Sequence, residues 1–112
     1  LWGTFPRVLG HYSRDLKLFP IEDAVRRMTS YSARRFHLAR RGEVRPGYYA
    51  DICVFDPATV IDTATFEKPI APAKGIDTVL CNGAIVWRDG KEGGGRKGRA
   101  LNLQEMQKEE RT

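Results

Sequence analysis

The sequence is short of the residues that metal and nucleophile chemistry need. It holds two histidines, His11 and His37, with no His-x-His pair, and two cysteines, Cys53 and Cys81, with no Cys-x-x-Cys spacing. A catalytic metal commonly takes three protein ligands from His, Asp, Glu or Cys, so spacing alone assembles no such set. A Gly-x-Ser-x-Gly elbow is absent, and Gly93-Gly94-Gly95 lacks the preceding strand and following helix that would make it a phosphate cradle. No apolar run approaches the ~20 residues that span a bilayer. The opening Leu1-Trp2-Gly3-Thr4 has no Met, basic region or apolar core of a signal peptide, and reads as a chain entered in mid-sequence. Two cysteines without a secretion signal favour a reducing compartment, so the expectation is cytoplasmic.

What is present is an ordinary globular balance, with 41% hydrophobic and 29% charged residues. A chain of 112 residues suits one modest domain. The net charge of +5 permits weak anion binding, but its distribution matters more. Arg26-Arg27, Arg34-Arg35 and Arg40-Arg41 fall near predicted helix ends, where cations complement the dipole, so a nucleic-acid surface is the less favoured reading.

The first predicted helix starts at Thr4, a capping residue, with Pro6 tolerated in the first turn. Phe5, Val8, Leu9, Tyr12 and Leu16 form its apolar stripe, and Gly10 weakens it. A second helix opens at Pro20, carries Glu22 and Asp23 in its first turn, and buries Ile21, Ala24, Val25 and Met28. A short helical turn follows, with Ser32 as its cap. His11 and His37 each fall on a predicted helix, in solvent-facing or structural roles.

Beyond Pro46-Gly47, a turn, the period changes. Residues 50–55 read as a strand stopped by Asp56-Pro57, and the run Ile52 to Phe55 implies cover on both faces. Cys53 and Cys81 lie in apolar strand contexts that predict packed thiols. Residues 58–74 form an irregular excursion holding Pro69 and Pro72. Residues 78–81, Asn82-Gly83 and 84–87 spell a hairpin on a type I′ turn, and Asp89-Gly90 supplies another turn. Residues 101–106 read as a further strand or helix, and 105–112 as a frayed tail. Asp51 and Asp56 sit beside turns, where satisfying backbone donors is the ordinary role. The order, helices then strands, is α+β. On residues alone the reading stops there, with no active site.

Two stretches resemble a known family. Gly3-Thr4-Phe5-Pro6-Arg7-Val8-Leu9-Gly10 is similar to a segment of the D-aminoacylases, the N-acyl-D-amino-acid deacylases of the amidohydrolase superfamily. So is the stretch from Ile21-Glu22-Asp23-Ala24-Val25-Arg26-Arg27-Met28 through Pro46-Gly47 to Ala50-Asp51-Ile52-Cys53-Val54-Phe55-Asp56-Pro57-Ala58-Thr59-Val60. Val79-Leu80-Cys81-Asn82-Gly83 with Val86 looks like the superfamily's returning hairpin, so the resemblance covers about residues 2 to 100. Departures occur at Trp2, where the family often has Tyr, at Tyr31-Ser32 and at Gly93-Gly94-Gly95.

The resemblance implies an incomplete TIM-type barrel. Residues 1–40 match its last helices, residues 41–104 part of a small antiparallel β-domain, and 105–112 a tail. It implies that the parent hydrolyses N-acyl-D-amino acids with zinc, and that the metal ligands and catalytic aspartate lie upstream. This chain then carries no catalytic or metal residue and is inactive alone. Thr4 and Arg7 are the substrate-side candidates, each with a plainer reading: a cap for Thr4, a surface ion pair for Arg7. The implied partner is the rest of the barrel, or a second copy through apolar helix faces at Val8, Leu9, Tyr12, Val25 and Met28. Another amidohydrolase, of the dihydroorotase or cyclic-amide type, is the alternative, with a basic nucleic-acid module behind it.

Overall fold

The computed structural model describes residues 3–102 together with 104, 106 and 108. Trp2 and the end of the tail, 109–112, lie outside the described residues. The architecture is helices followed by a small antiparallel sheet. Helix α1 (Thr4–Arg7) runs directly into a π-helix (Val8–Asp15), followed by α2 (Ile21–Met28) and α3 (Ser30–Arg35). Strands β1 (Ile52–Phe55), β2 (Ile76–Cys81), β3 (Ala84–Arg88) and β4 (Lys91–Glu92) then form one sheet in sequential order.

The first helix differs from its sequence pattern. Gly3 takes the N-cap position without a side-chain cap bond, and Thr4 is the first helical residue. Gly3 is there because a Cβ would stand 2.3 Å from that of Asp62. After Arg7 the helix widens, with Leu16 N–H donating to the His11 carbonyl, five residues back, at 2.9 Å. That wider step dissolves the expected stripe: Phe5 and Leu16 are 64% and 50% exposed, while Leu9, Gly10 and Ser13 turn inward. Gly10 is a contact, not a defect in the helix. A Cβ on it would lie 2.1 Å from the Val60 carbonyl oxygen.

Helix α2 follows its pattern. Pro20 precedes it, Glu22 and Asp23 sit at the start, Arg26 and Arg27 at the end, and Ala24 is buried. Ser32 does not cap α3; it lies inside that helix and donates to the Arg27 carbonyl, tying α3 to α2. His37 falls beyond α3, in left-handed backbone at φ 57°, and so is not helical.

The sheet is built on tight turns. Asn82 and Gly83 adopt φ 50° and 81°, and Asp89 and Gly90 adopt 53° and 79°, the positive pair that a type I′ turn requires. Asp51 accepts from the Asn82 N–H at 2.8 Å, and Asp56 from the Ala58 N–H at 2.9 Å, the backbone roles expected of them. Strand β1 is not covered on both faces. It forms an edge of the sheet, and Cys53 and Val54 are exposed. The thiols are therefore less packed than their contexts predict, with Cys53 exposed and Cys81 half-buried. Gln104, Met106 and Lys108 are helical, and Met106 is buried.

The core is small. Leu9, Ala24 and fully buried Val60 form its centre, with Val8, Phe19, Ile21, Val25, Met28, Phe55 and Ile76 packed around them. The faces expected to stand exposed do not: Leu9 is buried, Val8, Val25 and Met28 pack on the core and Tyr12 is half-buried, while the large apolar residues left exposed include Phe5, Leu18, Phe36, Phe66 and Ile70. A radius of gyration of 15.3 Å fits a thin core, since a compact chain of this length comes to roughly 13 Å.

Val60 is held by Arg14, whose guanidinium donates to the Val60 carbonyl at 2.8 Å and pairs with Asp15 at 2.9 Å. The hydrogen bond from Arg14, with its positive charge, holds the Asp15 carboxyl below its ordinary value of 3.8. A depressed folded pKa stabilises above that ordinary value, and the effect is lost as pH falls through the folded value.

Three substitutions test these contacts. Gly10→Ala is expected to destabilise the chain by about 2 kcal/mol in urea denaturation, because backbone must move. Gly94→Ala, where a Cβ meets nothing within 4 Å, stays within about 0.5 kcal/mol. Arg14→Ala is expected to destabilise by about 1–3 kcal/mol by stripping the Val60 carbonyl of its donor. In the same variant the Asp15 titration midpoint, followed by NMR, moves up; an unmoved midpoint would refute the pairing.

Candidate functional site

The two substrate-side candidates lie on the first turn of the molecule. Thr4 opens α1 and is exposed. Arg7 closes α1, and its Nη1 lies 3.4 Å from Asp62 Oδ2. The Arg7 side chain is 46% exposed and that of Asp62 12%, so the carboxylate is the sheltered partner. The guanidinium also sits over the Tyr12 ring, 5.5 Å from its centroid, and Tyr12 packs edge-on against His11 at 5.0 Å. The Tyr12 hydrogen bond, and then the Asp62 charge, raise the Arg7 pKa above its ordinary value, so the cation is fixed at every accessible pH.

This cluster can orient a group or bind an anion, but it contains no nucleophile. Arg7 is exposed enough to reach a neighbour, yet its charge is already matched by Asp62. The ion-pair reading of Arg7 is thus realised, and the capping reading of Thr4 is not. Asp62 escaped the sequence reading because it sits in the irregular excursion, 55 residues from Arg7. No local pattern could have joined them.

The remaining donors do not come together. His11 is on the π-helix, His37 follows α3, Cys53 is on β1 and Cys81 ends β2. Among the described residues no three of His, Cys, Asp and Glu gather into a group that could hold a metal ion. The resemblance places the metal ligands upstream of this segment, and no hydrolytic step is routed through a metal in this chain. Although Cys53 is exposed, partial desolvation by its surroundings raises its pKa, which disfavours the thiolate a nucleophile would need. No described helix is long and apolar enough to cross a membrane.

Comparison with known proteins gives this geometry a context. The amidohydrolase family model matches residues 1–87. A D-aminoacylase of Alcaligenes xylosoxydans xylosoxydans is 60% identical over 101 residues, covering 90% of this chain and 21% of that protein. An N-acyl-D-glutamate deacylase of the same organism is 48% identical over 87 residues, covering 78% of this chain and 18% of that protein. A D-aminoacylase crystal structure superposes with a TM-score of 0.88 at 63% identity, over 90% of this chain and 21% of that one. The zinc and phosphonate complex of N-acyl-D-glutamate deacylase from Bordetella bronchiseptica superposes at 0.83 with 48% identity, over 89% of this chain and 21% of that one. The chain spans about a fifth of the length of these relatives. With more than half of its residues inside the family model and its fold shared with solved members, the chain belongs to the amidohydrolase family.

Proposed function

We propose that this chain is the C-terminal part of a zinc-dependent hydrolase that cleaves the amide bond of N-acyl-D-amino acids, and that its own contribution is scaffold. The observation that carries this reading is the 60% identity to a D-aminoacylase across 101 residues. The acidic-substrate deacylases match less well, at 48% for N-acyl-D-glutamate and 44% for N-acyl-D-aspartate. That ordering favours a D-aminoacylase parent over a deacylase of acidic substrates.

In this reading residues 1–40 supply closing helices of the barrel and residues 41–104 part of the small β-domain. The two parts share one core, since Leu9 and Ala24 pack with Val60, Phe55 and Ile76. The partner is the remainder of the barrel, and the exposed Phe5, Leu18, Phe36 and the face of β1 are where it would dock. Arg7 and Thr4 are positioning residues at most: Arg7, paired with Asp62, holds the start of α1 against the excursion. A cytoplasmic location accords with two free thiols.

The test is a graft. A D-aminoacylase carrying this chain in place of its own matching segment is expected to hydrolyse an uncharged N-acetyl-D-amino acid within about tenfold of its parent, a change of about 1.4 kcal/mol in the barrier. It should not gain activity on N-acetyl-D-glutamate. The free 112-residue chain is expected to show neither turnover nor stoichiometric zinc. A folded but inactive graft would overturn the assignment, and turnover with bound zinc in the free chain would overturn the scaffold role.

A further inference from the structure

The turn between β2 and β3 carries a reactive pair as well as a shape. In an Asn-Gly dipeptide the glycine backbone nitrogen, unshielded by any Cβ, can attack the asparagine side-chain amide. A bond would form from the Gly83 nitrogen to Cγ of Asn82 while the Cγ–Nδ2 bond breaks, and Nδ2 leaves as ammonia with the proton from Gly83. Water then opens the cyclic imide at either carbonyl, leaving aspartate or isoaspartate. Asn82 and Gly83 are both exposed, so water reaches them and ammonia escapes.

Three contacts oppose that reaction in the folded chain. The Gly83 N–H, which must give up its proton to attack, donates to the Ala50 carbonyl at 3.0 Å. The Asn82 N–H donates to Asp51 Oδ1 at 2.8 Å and helps to hold the residue at φ 50°. The Asn82 side-chain amide, which must swing toward Gly83, donates instead to the Lys97 carbonyl, fifteen residues on. That acceptor belongs to neither strand of the hairpin. It lies in residues 96–99, an irregular strap that returns across the sheet after β4. Gly98 of the strap lies beside Cys81, where a Cβ would stand 3.8 Å from Sγ, and Arg99 donates to the Tyr49 hydroxyl at 3.2 Å.

We propose that Asn82 is a deamidation site latched by this strap. While Lys97 holds the amide the turn is inert; when the strap lifts, the amide turns to Gly83 and Asn82 is converted. The turn itself does not call for an amide, since Asp89-Gly90 makes the same positive-φ pair, 53° and 79°, in the same sheet. The strap accounts for it. Conversion is one-way, because a carboxylate at position 82 has no proton to donate to the Lys97 carbonyl. Isoaspartate further adds a backbone methylene to a turn that strand pairing fixes at two residues. The latch operates whatever the parent hydrolyses.

The experiment follows Asn82 in the 112-residue chain at neutral pH by peptide mapping and mass spectrometry. Conversion in the folded chain is expected to be at least about tenfold slower than in urea, since reaction requires the turn to open. Gly95→Val strains the strap, because Gly95 holds φ 76°, and is expected to speed conversion about threefold to tenfold, the shift that loss of one hydrogen bond brings. Gly94→Val puts its Cβ where nothing lies within 4 Å, and is expected to react like the unaltered chain. Circular dichroism checks that each variant keeps its sheet. Should Gly95→Val lose it, Asn82→Asp tests the latch separately: it suits the turn, removes the donor, and is expected to let trypsin cut after Arg96 and Lys97 about threefold faster. Equal conversion in folded and urea-unfolded chain would overturn the proposal. So would equal conversion in the two folded glycine variants, or unchanged cutting of Asn82→Asp.

Discussion

The seat of Val60 organises the molecule. Asp56 accepts from the Thr59 and Val60 N–H groups through its carbonyl and from the Ala58 N–H through its side chain, winding a turn that drives Val60 inward. Burying that side chain fully is worth about 2 kcal/mol. Two glycines make room for it. Gly10 brings the π-helix against the Val60 carbonyl, and Gly75 approaches the Val60 backbone so closely that a Cβ would stand 2.5 Å from its Cα. Arg14 then satisfies the carbonyl that the close approach withdraws from water. Helices and sheet meet only because all these groups agree on one position.

That arrangement explains why the helix is wide where it touches the loop. An α-helical step would present Phe5 and Leu16 to the core alongside Leu9. The observed step instead aims Gly10 and Ser13 at the excursion, and the Ser13 hydroxyl donates to the Phe19 carbonyl at 2.9 Å. Backbone approach has been favoured over side-chain burial. The consequence is a thin core and several bare aromatics, among them Phe36 at 71% and Phe66 at 102% exposure. Bare aromatics and an apolar edge strand suit a chain segment that a larger protein covers, in keeping with a length one fifth of its relatives.

Elements whose cause is local were legible in the sequence. The Asn82-Gly83 and Asp89-Gly90 turns need positive φ at both positions and take it, and α2 carries its boundaries in Pro20, its acidic first turn and its basic last one. What the residues hid was every contact of long sequence separation. Gly10 reads as a weak helix position until Val60 is placed against it, and Arg7 has no visible partner until the excursion returns Asp62 to it. The apolar run in β1 misled for a similar reason: composition does not say which face meets a neighbour, and β1 is an edge strand with Cys53 and Val54 exposed. The candidate site was legible only through resemblance, because spacing in a segment without a ligand set has no chemistry to report.

Solved relatives named for different substrates, an N-acyl-D-glutamate deacylase and a D-aminoacylase, share this segment's backbone almost equally, with TM-scores of 0.83 and 0.88. A backbone common to both does not by itself discriminate between their substrates. Under the proposed reading, selectivity must therefore arise from side chains or from the portion of the protein that this segment supports. In that reading the segment's part is mechanical. Through Gly3 against Asp62 and Gly10 against Val60, it sets where the first helix begins relative to the sheet. A displacement of that start would carry into the sheet, since a packed interior transmits shifts and does not absorb them.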